Sequence, residues 1–267
     1  AAASIPAEAG TVMLAITNDE EADAVNGTDK LLAWMAEQGH GFDFAVVGEP
    51  SSAALLGDSI KIGRRGSFSG QITVTGTQGH VAYPDKANNP LPVLARVVTA
   101  LDVEIDGGTE HFPATNLEVT TIDVGNPVSN VIPASGTLRF NIRYNDLWTP
   151  ETLSDWIQQR IVTVDAAGAE IVFETVGTPS HAFLSPLSDD VAILADAIES
   201  VTGRRPEYST GGGTSDARFV ARYGPVVECG LVGTSMHKAD EHIALADLEG
   251  LTAIYRTFMQ RFFESPA

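Results

Sequence analysis

Three consecutive acids, Asp19, Glu20 and Glu21, close the stretch "LAITNDEE", just where an apolar run ends. Like charges this close raise one another's pKa unless a cation sits between them. Glu49, in "FAVVGEP", and His237, in "VVECGLVGTSM" followed by "HK", stand in the same relation to two further apolar runs. Carboxylate and imidazole without thiolate suit zinc or another first-row divalent ion better than calcium or magnesium. If Glu20 and Glu21 project differently from their turn, one can bind metal while the other manages a proton. Such acids also serve as a solvated helix start that complements the helix dipole, and spacing alone leaves both readings open.

Other polar groups fall into loops. His80 lies in "GTQGHVAYP" beyond a strand-like run, and Tyr83 follows it. "STGGGTSDARF" (residues 209–219) lacks the Lys-Ser/Thr ending of a P-loop. It reads as a plain glycine-rich turn, or as a loop whose amides, at Gly213 and Thr214 among others, hold a carboxylate. Arg64 and Arg65 in "IKIGRRGS" and Arg143 in "FNIRYN" stand out in a chain poor in bases. Arginine recognises carboxylates through a bidentate fork.

Elements that would position these groups follow from periodicity. "GTVMLAIT", "FDFAVVGEP" and "GPVVECGLVG" are short apolar runs bounded by turn residues, read as buried strands of a parallel α/β sheet. "GTDKLLAWMAEQG", "DDVAILADAIESVTG" and "ALADLEGLTAIYRTFMQRFF" carry helical spacing. In such a sheet, functional groups gather beyond the carboxyl ends of the strands. Between these flanks the runs alternate β, α, β, β, α, β, the split pattern of a ferredoxin-like domain. The expected organisation is a metal-binding α/β domain from residues 1–65 and 181–267, interrupted by an α+β domain at 66–180.

The chain has 267 residues, 43% of them hydrophobic, enough for a substantial core. Its formal net charge of −19 repels phosphate backbones and anionic lipid, which argues against nucleic-acid and membrane partners. A single cysteine, Cys229, cannot form an internal disulfide, and a reducing, cytoplasmic setting is the simplest expectation. "AAASIPAEAG" has no initiator Met and reads as the tail of a helix, so the sequence is expected to start inside a larger domain.

Taken in order, "ITNDEEADAVNGT", "VVGEPS", "IKIGRRGSFSG", "GTQGHVAYP", "NVIPA", "GGTSDARF" and "MHKADEHI" resemble the desuccinylase branch of the co-catalytic metallopeptidase family, which also holds acetylornithine deacetylases, aminoacylases and carboxypeptidase-G-like enzymes. The resemblance implies a zinc-peptidase-like α/β domain with an inserted ferredoxin-like dimerisation lid, a homodimer, and two Zn2+ ions for which Co2+ can substitute. It implies hydrolysis of N-succinyl-LL-2,6-diaminopimelate to succinate and LL-diaminopimelate, with deacetylation as the alternative within the family. By motif, Glu20 is implied as general base, Glu21, Glu49 and His237 as metal ligands, and His80 as the oxyanion donor that reaches the partner's site. Arg64, Arg65, Tyr83, Asn130, Arg143, Gly213 and Thr214 fall in motifs implied to bind substrate. The family's "GHxD" and "DMKG"-like motifs, sources of a further histidine ligand and a bridging aspartate, do not occur in this sequence. A chain of this extent is therefore expected to hold metal weakly and turn over little, and a non-catalytic dimerising fragment is the reading from another class.

Overall fold

The computed structural model describes residues 9–20 and 24–264, which group into two compact units, one of the described residues up to 64 and from 183 onward, the other of residues 65–182. The chain enters the first unit through α1 (Thr28–Glu37), β1 (Ala45–Val47), β2 (Ser59–Lys61) and β3 (Gly63–Arg64). It then builds the second from β4 (Gly66–Thr75), β5 (Gly79–His80), α2 (Pro90–Leu101), β6 (Asn116–Asp123), β7 (Val131–Ile132), β8 (Ser135–Tyr144), α3 (Pro150–Val162) and β9 (Glu170–Ser180). It returns to the first through β10 (Phe183–Leu184), α4 (Asp189–Thr202), β11 (Glu207–Ser209), α5 (Ala217–Val220), β12 (Val226–Glu228) and α6 (Leu245–Glu264).

The second unit is a four-stranded antiparallel sheet in the order β6-β8-β4-β9 with two helices. This is the strand order that a split βαβ pattern produces when each crossover helix skips a strand. Side chains along β4 and β8 alternate between buried and half-buried or exposed, as the two-residue period of a strand requires. Phe68, Ile72, Leu138, Phe140 and Ile142 point inward against Val93, Val97 and Leu101 of α2 and Leu153 and Ile157 of α3. Each such side chain, fully buried, contributes roughly 1.5–3 kcal/mol. Asn89 caps α2 by accepting from the Leu91 amide, with Pro90 as the first helical residue. Thr149 and Thr152 form a reciprocal capping box at the start of α3. These caps satisfy amides that a helix start leaves orphaned. The opposite face of the sheet carries Ser67, Ser69, Gln71, Arg139, Asn141 and Arg143, so it is polar.

The first unit has a sheet in the order β1-β12-β2-β11. β1 and β12 pair in parallel, as do β2 and β11, while β12 and β2 run antiparallel through Glu228 and Lys61. The purely parallel sheet expected from the apolar runs is thus corrected to a mixed one. Its core joins Ile60, Ile62, Val227 and Cys229 to Leu194 and Ile198 of α4 and Ile254 and Phe258 of α6. The sequence also predicts a strand over residues 11–17. Residues 11–18 instead form no strand, and Leu14 and Ile16 are each 83% exposed. An apolar pattern specifies what should be covered, but a strand also needs a neighbour to complete its ladder. β1 finds that neighbour in β12, nearly two hundred residues later. The expected helix tail at the chain start lies largely outside the described residues.

Candidate functional site

A cleft in the first unit opens at the carboxyl end of β1 and is lined by Glu20, Val47, Gly48, Glu49, Pro50, Met236 and Glu241. Glu49 follows β1 after Gly48, and its backbone is packed so closely by β12's exit that a Cβ on Gly230 would lie 2.2 Å from the Glu49 carbonyl oxygen. Glycine is therefore required there. The three acids after the apolar run divide their work. Asp19 takes a left-handed backbone conformation (φ 65) and its carboxylate accepts from the Asn26 amide at 2.9 Å, which closes the turn. Glu20 faces the cleft. Glu21 lies outside the described residues.

Burial pushes the Glu49 carboxyl up to about 7, and the charges of Glu20 and Glu228 push in the same direction against the opposing pull of Arg64. A divalent cation in the cleft would relieve that repulsion, so the donor chemistry fits a hard or borderline metal. Among the described residues, however, no three His, Cys, Asp or Glu side chains come together as a metal-binding group. His237 is exposed, with a left-handed backbone (φ 60), next to the cleft residue Met236. Its loop is fixed by Ser235, whose hydroxyl donates to the His242 carbonyl at 2.7 Å and accepts from the His242 amide at 3.1 Å. Glu241 joins this cleft too; it lies within "MHKADEHI", a motif in which His237 alone is implied as a ligand.

The glycine-rich loop lies in the same unit, beside a buried ion pair. Arg64, 7% exposed, donates its Nε to both oxygens of Glu228 at 3.0 Å, and Nη2 also reaches Glu228. Its Nη1 donates to the carbonyls of Gly211 (3.3 Å) and Gly213 (3.1 Å). Ser215 donates to the other side of Glu228. Arg64 thus engages protein partners through all three of its guanidinium nitrogens. Lys61 donates to Ser209 at 3.1 Å, at the loop's entrance, and burial and then the Arg64 charge lower its pKa. Lys61 and Ser215 lie within the motifs "IKIGRRGSFSG" and "GGTSDARF" without being singled out there, and Glu228 carries no signature of its own. Glu228 sits inside an apolar strand pattern, and a buried charge there signals only that a partner must exist.

The second unit assembles two groups. β5 and β7 pair His80 with Val131, which brings Asn130 alongside the imidazole. The Ala82 amide donates to His80 Nδ1 at 3.1 Å. His80 Nε2 lies 3.4 Å from Asn130 Nδ2, a contact whose direction depends on the imidazole tautomer. Tyr83 packs its ring 5.8 Å from the imidazole. Three residues separated by up to 50 positions in sequence therefore share one exposed corner.

On the polar sheet face, Arg143 of β8 lies between Ser67 of β4 and Asn116 of β6. Arg65 donates from Nη1 to Asn116 at 2.8 Å, and its buried Nε has no hydrogen-bond partner. Burial first, and then the Arg65 charge, lower the pKa of Arg143. Neither arginine is in an ion pair among the described residues. A guanidinium with an unsatisfied buried donor, close enough to a second one to lower its pKa, has the donor chemistry that suits a carboxylate.

Comparison with known proteins matches residues 62–169 to the peptidase dimerisation domain. The chain is 54% identical over 259 residues to a succinyl-diaminopimelate desuccinylase of Methylorubrum populi, covering 96% of this chain and 66% of that protein. It is 54% identical over 256 residues to one of Rhodospirillum centenum, with 96% and 65% covered. The chain therefore spans just under two thirds of the length of these relatives. Among solved structures, the aminopeptidase PepT of Bacillus cereus is similar with a TM-score of 0.74 at 17% identity, over 92% of this chain and 62% of that one. Human carnosine dipeptidase 1 is similar with a TM-score of 0.68 at 16% identity, over 92% and 64%. At such identities the likeness is one of fold.

Proposed function

We propose, for a chain that belongs to the dimerising peptidase family of the succinyl-diaminopimelate desuccinylases, that the protein carrying it hydrolyses N-succinyl-LL-2,6-diaminopimelate to succinate and LL-2,6-diaminopimelate. The observation that carries this reading is the 54% identity that runs along 96% of the chain. The unpaired Arg65 and Arg143 support it, because a succinyl group differs from an acetyl group by a terminal carboxylate that such a pair would recognise.

In this reading Glu49, Glu21 and His237 hold metal at the cleft, and zinc is the ion their donor types favour. A metal bound there would supply Lewis-acid polarisation of the amide carbonyl. Glu20, facing the same cleft, takes a proton from the attacking water and returns it to the departing amine. His80 donates from Nε2 to the oxyanion that develops on the former carbonyl, with its ring orientation held by the Ala82 amide and the Asn130 side chain. The amides of Gly213 and Thr214 receive a second carboxylate of the substrate. Residues 66–180 act as the dimerisation lid of a homodimer.

The test is succinate release by the whole protein that carries this chain, loaded with zinc, from N-succinyl-LL-2,6-diaminopimelate and, in parallel, acetate release from N-acetylornithine. The expected result is a kcat/KM at least about a hundredfold higher for the succinylated substrate, the discrimination typical of a site built around a polar group. Faster deacetylation would overturn the assignment in favour of the acetylornithine-type reaction.

A further inference from the structure

Glu228 is the last residue of β12, fully buried between Val227 and Cys229 of the core, and it accepts from three donor atoms on two residues, Arg64 and Ser215. A buried carboxylate is costly unless paired, and breaking the pair costs more than the pair contributes. That alone accounts for Arg64. It leaves unexplained why the far end of Arg64 is spent on the glycine-rich loop. Nη1 holds the carbonyls of Gly211 and Gly213, two residues apart, while Gly212 between them turns with φ +106. A Cβ on Gly212 would lie 2.3 Å from that same Nη1, so the residue is glycine for both backbone and contact reasons. Drawing the carbonyls inward leaves the amides of Gly212, Gly213 and Thr214 with no acceptor among the described residues. Gly212 and Gly213 are exposed. Because Glu228 neutralises Arg64, the attraction of this loop for an anion comes from oriented amides rather than from the guanidinium.

We propose that Glu228 is a positioning residue: through Arg64 it holds the loop Gly211–Thr214 with its carbonyls inward, so that its amides are preset to receive a carboxylate of the substrate. Ser215 fixes the other edge of Glu228 and thereby the loop's exit. The proposal rests on the reading of this loop as a substrate contact in a desuccinylase. It gives Arg64 the role of shaping the loop.

Two variants of the whole zinc-loaded protein test it, Glu228→Gln at the root of the device and Gly212→Ala in the exposed loop, where folding is preserved if the buried change proves too disruptive. Each is crystallised and assayed for steady-state cleavage of N-succinyl-LL-2,6-diaminopimelate. The expected result is a shift of the Gly211 and Gly213 carbonyls by about 1 Å or more and a KM raised at least about tenfold, with kcat within about threefold of wild type. An unmoved loop in the folded variants overturns the proposal whatever the activity does. A displaced loop with KM unchanged also overturns it, since the loop then contacts no substrate, while wild-type turnover of the succinylated substrate in the same assay decides separately whether the desuccinylase reading stands. A loss confined to kcat would assign Glu228 to the chemical step and overturn a positioning role.

Discussion

Arg65 and Arg143 stand side by side on the polar face of the antiparallel sheet, both half-buried and neither matched by a carboxylate among the described residues. In a chain of net charge −19, two such cations so close together destabilise the fold, and an anionic ligand would offset the cost. Arg143→Ala should lower kcat/KM for the succinylated substrate by roughly 10- to 100-fold, as loss of one charge-assisted hydrogen bond predicts, and leave hydrolysis of an acetylated analogue nearly unchanged. Parallel losses on both substrates would place Arg143 outside the succinyl contact.

The Ala82 amide occupies His80 Nδ1, which leaves Nε2 beside Asn130 as the nitrogen that could meet a substrate. If that nitrogen serves the oxyanion, His80→Ala should reduce kcat by about 10²- to 10³-fold while zinc content, read by elemental analysis, stays at the wild-type value. Zinc lost in proportion to activity would make the residue a ligand instead.

Glu49 offers a test in the metal-free protein. Its folded pKa, about 7, exceeds the ordinary glutamate value of 4.5. As pH rises between those values the unfolded chain releases this proton while the folded chain keeps it, so stability falls across that window. Glu49→Gln should therefore match wild type near pH 5 and exceed it by about 1–2 kcal/mol at pH 8, a figure discounted because the group is only half-buried. Urea melts at the two pH values measure this, and equal stability at pH 8 would contradict the crowding inferred in the cleft.

Asp106 shows the opposite linkage. Burial raises its pKa, but hydrogen bonds from the Thr115 side chain, the Gly108 and Thr115 amides and the Trp148 indole outweigh that and hold the carboxyl at about 2. Asn145 donates to it as well, at 2.7 Å, which ties the loop before β6 to the end of β8. The stability it contributes is present above the ordinary aspartate value of 3.8 and is lost as pH falls through about 2. Asp106→Ala should cost about 1–2 kcal/mol near neutrality, after allowance for solvent screening, with the difference from wild type shrinking below pH 4 in denaturant titrations. A gap that persists undiminished at pH 2 would show that packing, not charge, is what the aspartate supplies.

Local pattern was enough to place most of the helices and the strands of the inserted unit. Two-residue alternation in β4 and β8 and the 3.6-residue spacing in α2, α4 and α6 report which side of each element is covered, and that information is carried by neighbours in sequence. Motif order likewise brought Glu20 and Glu49, and His80, Tyr83 and Asn130, to attention before any coordinates. Only tertiary structure decided which partners they meet. β1 pairs with β12 and not with the apolar run at residues 11–17, because a ladder is chosen by what lies alongside in space. Glu228 looks like an ordinary strand residue until Arg64, 164 positions earlier, is seen to neutralise it. The sequence by itself determined the inventory of reactive groups and the periodicity of the elements that hold them. Folding decided which of those groups are charge-paired inside the protein, as Arg64 is with Glu228, and which have no carboxylate partner among the described residues, as Arg143 has none, because burial and charge pairing are properties of contacts between distant segments.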